Sequence, residues 1–113
     1  MGYLEKEEVA TGYHLFRQGE ASGCIYFLAT GAATAHFELP DGRSIRLRAM
    51  RAGTVLGEVG YYQRNVRTAS VATTEPSTFY RLSGDSIERM EHDDPDLAVV
   101  MHRLIARRKT TIP

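Results

Sequence analysis

From Tyr13 to about Leu82 the chain runs in short apolar or alternating stretches: YHLF, CIYFLA, ATAHFEL, SIRLRAM, ASVAT and STFYRL. Between them lie QGEASG, ATG, LPDGR and RAG, each bringing a glycine to a place where the backbone must turn with positive φ. Short strands at regular spacing with turn signals between them restrict the fold to an all-β sandwich or barrel. Pro40-Asp41-Gly42 is the strongest of these signals, because proline pre-sets the turn and glycine relieves it. Ala33 to Leu39 and Ser44 to Met50 are therefore expected to form a hairpin. In its second arm Ile45, Leu47 and Ala49 alternate with Ser44, Arg46 and Arg48, so the apolar set is expected inward and the arginines outward. Arg43, Arg46 and Arg48 then read as a solvated strand face that discourages edge pairing.

After Leu82 the period becomes helical. Ser83 is placed to cap a short helix with Asp85 and Glu88 in its first turns and Ile87 and Met90 on its inner face. Asp94-Pro95-Asp96 announces a second helix through a cap, a proline at the first helical position and an acid near the positive end. Its expected apolar stripe is Leu97, Val100, Met101, Leu104 and Ile105, with Arg103, Arg107, Arg108 and Lys109 near the negative end. The predicted organisation is one domain over residues 1–113, a β-barrel over about 9–82 and helices over about 84–109, with no internal repeat.

With 14 basic and 14 acidic residues, the chain has no global field for holding nucleic acid and no acidic excess that would suggest disorder. The lone cysteine, Cys24, sits in an apolar run and reads as a small buried hydrophobe in a reducing cytosol. No apolar run approaches the roughly 20 residues needed to cross a bilayer, and no signal pattern opens the chain. A cytoplasmic location is expected, and the abrupt ends suit an excerpt of a longer protein.

Small β-barrels include metal-dependent enzymes, whose chemistry needs imidazoles converging on one ion. His14, His36, His92 and His102 stand far apart in the chain, in no metal-binding spacing, and each reads as a packing residue. There is no Ser/His/Asp signature, no phosphate loop preceding a lysine and no helix-turn-helix. No catalytic or metal site is expected.

The stretch LGEVGYYQRNVRTASV, Leu56 to Val71, carries different chemistry. After the strand-like Thr54-Val55-Leu56, EVGYY can form one helical turn whose free N–H groups act as anion donors. Arg67 offers a planar donor fork that matches two phosphate oxygens, more strongly in a water-poor pocket than at a surface. A carboxylate would repel that phosphate, so Glu58, an acceptor-only group, suits a sugar hydroxyl instead. If the chain between them folds back, the pair reads the two ends of one sugar phosphate. The bland alternative is a structural ion pair. Tyr61 and Tyr62 read as core or rim packing.

The run GEVGYYQRNVRTASV resembles the phosphate-binding cassette of cyclic nucleotide-binding domains: Gly-Glu, a short helical turn, then Arg-Ser/Thr-Ala before a strand. LFRQGEASGCIYFLATG, with turn glycines Gly19 and Gly31, is similar to that family's barrel entry. PDGRSIRLRAMRAGTVLGE and SIERMEHDDPDLAVVMHRLIARR also fit. The resemblance implies a mainly β fold, a double-stranded β-helix (jelly-roll) barrel followed by two helices. It also implies a ligand, cAMP or cGMP, rather than a cofactor. The implied binding residues are Gly57, Glu58, Val59, Arg67, Thr68 and Ala69. By resemblance Glu58 would accept from the ribose 2′-hydroxyl, Arg67 would bind the cyclic phosphate and Thr68 would place a hydroxyl beside it. The last helix would close over the base. Val66 departs from the proline or small residue that many members carry there, and the helical region ahead of the barrel is short or missing. Some phrases most resemble modules attached to bacterial sulfate-permease-type transporters with an anti-sigma-antagonist-like (STAS) domain. The rival reading is a ligand-free barrel serving protein interaction or homodimerisation through its terminal helix.

Overall fold

A computed structural model describes residues 3–57, 61–62 and 66–108. Its strands are β1 (Leu4–Val9), β2 (His14–Phe16), β3 (Cys24–Thr30), β4 (Ala32–Glu38), β5 (Ser44–Arg51), β6 (Val55–Leu56), β7 (Ser70–Thr73) and β8 (Ser77–Ser83); the helices α1 (Gly84–Asp93) and α2 (Pro95–Arg108) follow. One antiparallel sheet has the order β1-β8-β3-β6 and the other β2-β7-β4-β5. The fold is a jelly-roll sandwich with two C-terminal helices, as the resemblance implied.

Leu28, Leu56 and Phe79 of the first sheet meet Phe16, Ala33, Ala35, Met50 and Val71 of the second to form the core between the sheets. The other face of the first sheet carries Ile25, Val55 and Leu82, and α1 and α2 cover it with Ile87, Met90, Ala98 and Ile105. CIYFLA reads as a continuous apolar run because β3 is buried from both sides.

Strand β1 lies ahead of the predicted barrel start. Its sequence, LEKEEV, is mostly charged, and it is an edge strand that pairs with β8 from Leu4↔Leu82 to Val9↔Ser77. Its acids have a partner: Arg81 of β8 bonds Glu5 and stands 3.3 Å from Glu7. Arg81 also reaches the Cys24 Sγ at 3.4 Å, and Cys24 is half-buried rather than a core residue.

The β4–β5 hairpin forms around Pro40-Asp41-Gly42, but the facing predicted for β5 is wrong in part. Met50 is buried opposite Ala33, and Arg48 stands opposite Ala35, which is fully buried. Opposed residues share a face, so Arg48 lies on the core-facing side, while Leu47 and Ala49 face out and are exposed. A bulge between Ala35 and His36 then brings Ile45 opposite Phe37. Ile45 regains the inner face but remains 50% exposed, as Phe37 does at 40%. Met50 sets the register, and a one-residue offset reverses every facing.

Ser83 caps α1 as predicted, its Oγ accepting from the Ser86 N–H at 3.1 Å, and Ile87 and Met90 are buried. Asp94 joins the helices: its N–H donates to the Met90 carbonyl and its own carbonyl accepts from Ala98. The stripe predicted on α2 divides. Ala98 and Ile105 are buried and Met101 partly so, whereas Leu97, Val100 and Leu104 are 44%, 50% and 48% exposed. The sheet offers α2 a narrower strip than the sequence stripe could fill. Lys109 lies outside the described residues. Among the described residues no helix is long and apolar enough to cross a membrane.

Candidate functional site

Arg67 is 2% exposed, and a cation that deep needs partners. Its backbone is pinned to the turn after β2: the Arg67 N–H donates to the Glu20 carbonyl at 2.7 Å and its carbonyl accepts from Gly19 at 2.8 Å. A bridge between Ala21 and Val66 continues this pairing. Val66, where a proline is common, thus supports a strand-like approach to the arginine. The side chain runs inward. Nη1 donates to the Gly57 carbonyl at 2.8 Å, Nη2 to the Cys24 carbonyl at 2.7 Å, and the guanidinium carbon stands 4.1 Å from the centroid of Phe16. Two hydrogen bonds and a cation–π contact hold the fork in one orientation.

Gly57 follows β6 with φ of 81°, and a Cβ there would fall 2.3 Å from Arg67 Nη1. Glycine is required both by the conformation and by the approach of the guanidinium. The same carbonyl accepts from the Tyr61 N–H at 3.1 Å, an i→i−4 bond, and Tyr61 and Tyr62 are helical. One carbonyl oxygen therefore joins Arg67 to Tyr61; the first three residues of the helical turn predicted after Gly57 lie outside the described residues.

Of the six residues named from sequence, Gly57 and Arg67 are in direct contact, Ala69 is buried in the core at 1% exposure, and Thr68 between Arg67 and Ala69 is exposed. Glu58 and Val59 lie outside the described residues.

Other residues join the site without a sequence signal. Phe16 looks like any core aromatic in its strand, and the Cys24 contribution comes from its backbone. Tyr26 packs against Phe16 with ring centroids 6.0 Å apart, and burial pushes its hydroxyl pKa up to about 12, so it stays neutral at physiological pH. Phe16, Val71, Ala35 and Arg48 stand opposite one another across β2, β7, β4 and β5. This places the ring under Arg67 and the Arg48 backbone at opposite ends of one core-facing row, separated by three strand spacings, or ~14 Å.

The histidines are dispersed. His14 and His36 meet edge-on at 6.1 Å, His92 is exposed, and His102 bonds Tyr62 and Glu91. Among the described residues no three metal-ligating side chains gather.

A family model described as the cyclic nucleotide-binding domain matches residues 6–94, and the chain belongs to that family. A CRP-like cAMP-activated global transcriptional regulator of Mycobacterium tuberculosis is 25% identical over 105 residues, which cover 93% of this chain and 47% of that protein. The chain thus spans about half the length of this relative. The N-terminal domain of a Streptomyces coelicolor transcriptional regulator superposes with a TM-score of 0.80 at 24% identity, covering 94% of this chain and 76% of that one. A cyclic nucleotide-binding domain from Methylobacillus flagellatus gives 0.79 at 21%, covering 93% and 62%. The two structural likenesses show the same fold.

Proposed function

We propose that this domain is a regulatory module that binds a cyclic purine nucleotide, cAMP or cGMP, and signals by closing its C-terminal helix over the base. The observation that carries the reading is Arg67: a guanidinium held between the two sheets, oriented by Phe16 and two carbonyls, against a glycine that leaves it room. A cyclic phosphate would compete with those two carbonyls for the Nη donors of the fork. Glu58 would accept from the ribose 2′-hydroxyl, Thr68 would add a hydroxyl beside the phosphate, and Gly57, Val59 and Ala69 would supply close backbone. The relative that is cAMP-activated supports the ligand class.

The base would lie toward the open end of the hairpin, against Phe37 and Ile45. Closure is a population shift, driven only by the ligand's greater affinity for the closed form.

Thermal denaturation tests binding: a nucleotide at 100 times its dissociation constant should add about 2.7 kcal/mol of stability. No shift with either nucleotide would refute the reading. A second reading has its own observation in the exposed Leu97, Val100 and Leu104, which suit α2 to a protein contact or a homodimer. Retention of the dimer by a chain that binds no nucleotide would favour it. No catalytic role is proposed. Attachment to a sulfate-permease-type transporter or a STAS-like domain is a proposal that rests on sequence likeness alone.

A further inference from the structure

The helical residues Tyr61 and Tyr62 are tied to both C-terminal helices through one side chain. Tyr62 Oη lies 2.7 Å from Nδ1 of His102 on α2, and Nε2 of the same ring lies 3.0 Å from a carboxylate oxygen of Glu91 on α1. A carboxylate only accepts, so Nε2 carries the proton and donates to Glu91. In the neutral ring Nδ1 is then an acceptor for the Tyr62 O–H, and the two bonds fix one tautomer. The rings of Tyr62 and His102 pack at 5.6 Å, and those of Tyr61 and Tyr62 at 5.5 Å. Tyr61 is itself packed into the cluster formed by β3, β8 and the helices.

These contacts complete a connected path. Arg67 Nη1 and the Tyr61 N–H share the Gly57 carbonyl, so displacing the guanidinium disturbs the anchor of the turn. Tyr62 in the same turn holds His102, and His102 holds Glu91. The apolar contacts of α2 would let it slide, because a buried strip of Ala98, Met101 and Ile105 fixes no direction along the sheet. A directional hydrogen bond to the turn fixes it.

We propose that Tyr62, His102 and Glu91 form the linkage that passes movement of the turn to α1 and α2. Tyr62 and His102 are positioning residues and do not touch the ligand. This inference rests on the nucleotide-binding reading above and adds the route by which binding reaches the helices.

The test is nuclear magnetic resonance on the chain and on Tyr62→Phe, which keeps the ring and removes only the hydroxyl. Without nucleotide, the parent His102 should show the Nε2–H tautomer, and the variant should lose the hydrogen-bonded Nδ1 signature. On titration with cyclic AMP and cyclic GMP, the parent should show shifts at Arg67 and along α2. The variant should keep the shifts at Arg67, with affinity changed less than about tenfold, the ceiling for one net hydrogen bond. Its α2 resonances should barely respond. Equal α2 responses in the two proteins, or an unchanged His102 signature, would overturn the linkage while leaving nucleotide binding intact. Absence of any nucleotide-dependent shift in the parent would overturn the binding reading and the linkage with it.

Discussion

The two sheets of the sandwich are built to different ends. The β1-β8-β3-β6 sheet is packed on both faces, by the opposing sheet on one and by α1 and α2 on the other. Among the described residues, the β2-β7-β4-β5 sheet has a core on one face only, and the end of its hairpin leaves Phe37 and Ile45 uncovered. Arg67 enters where the closed part gives way to the open part. The contrast lies in packing: the doubly covered sheet holds the molecule together, and the singly covered one keeps Phe37 and Ile45 exposed at the end of its hairpin.

The largest effect that would sharpen this contrast is in the closed sheet. Phe79 is fully buried on the inner face of β8, and Phe79→Ala should cost about 3–5 kcal/mol, measured by urea denaturation. A loss below 1 kcal/mol would show that β8 does not anchor the core. Gly57→Ala comes next, at about 1–3 kcal/mol for a strained backbone, with further loss from its approach to Arg67. It should lower thermal stability and nucleotide affinity together, whereas Gly42→Ala, also at positive φ but with open space around it, should leave affinity unchanged.

On the open side the order of effects reverses. Ile45→Ala, at a half-exposed site, should change stability by less than about 0.5 kcal/mol. The same substitution should weaken nucleotide binding several-fold if the hairpin receives the base. A large stability loss with unchanged affinity would break the comparison.

The smallest expected effect is a pH dependence on the outer face of the singly covered sheet. Burial, then the nearby Arg17 and His36, push the His14 pKa below its usual value, against weaker opposing influence from Glu38 and Glu20. The unfolded chain binds that proton at higher pH than the folded chain does. Stability from this group is therefore full above the unfolded value near 6.5 and is lost as pH falls through the lower folded value. His14→Gln should flatten thermal stability between pH 7 and 5 slightly, and an unchanged or steeper profile would count against the assignment.

What was legible in the sequence follows the same division. Glycine turns and the 40–42 signal gave the hairpin, and Ser83 and Pro95 gave the helix starts, because these are local demands of the backbone. Strand β1 was missed because LEKEEV has no apolar pattern; it is held by pairing with β8 and by Arg81. The facing of β5 was misread because alternation defines two faces without saying which is covered, and Met50 decides that from across the sheet. Arg67 could be named from its motif, but Phe16 and the Cys24 carbonyl could not. A ring in a strand and a backbone oxygen carry no mark of the side chain they will meet.

Titration calorimetry of the parent, Arg67→Ala and Arg67→Lys with cyclic AMP and cyclic GMP tests the central claim most directly. Each chain must first be shown folded by its melting transition, because Arg67 also supports Gly57 and Cys24. The account predicts binding by the parent, a loss of 30-fold to several thousand-fold in Arg67→Ala, about 2–5 kcal/mol, and partial recovery in Arg67→Lys. Equal affinities in the folded parent and the folded Arg67→Ala chain would contradict it.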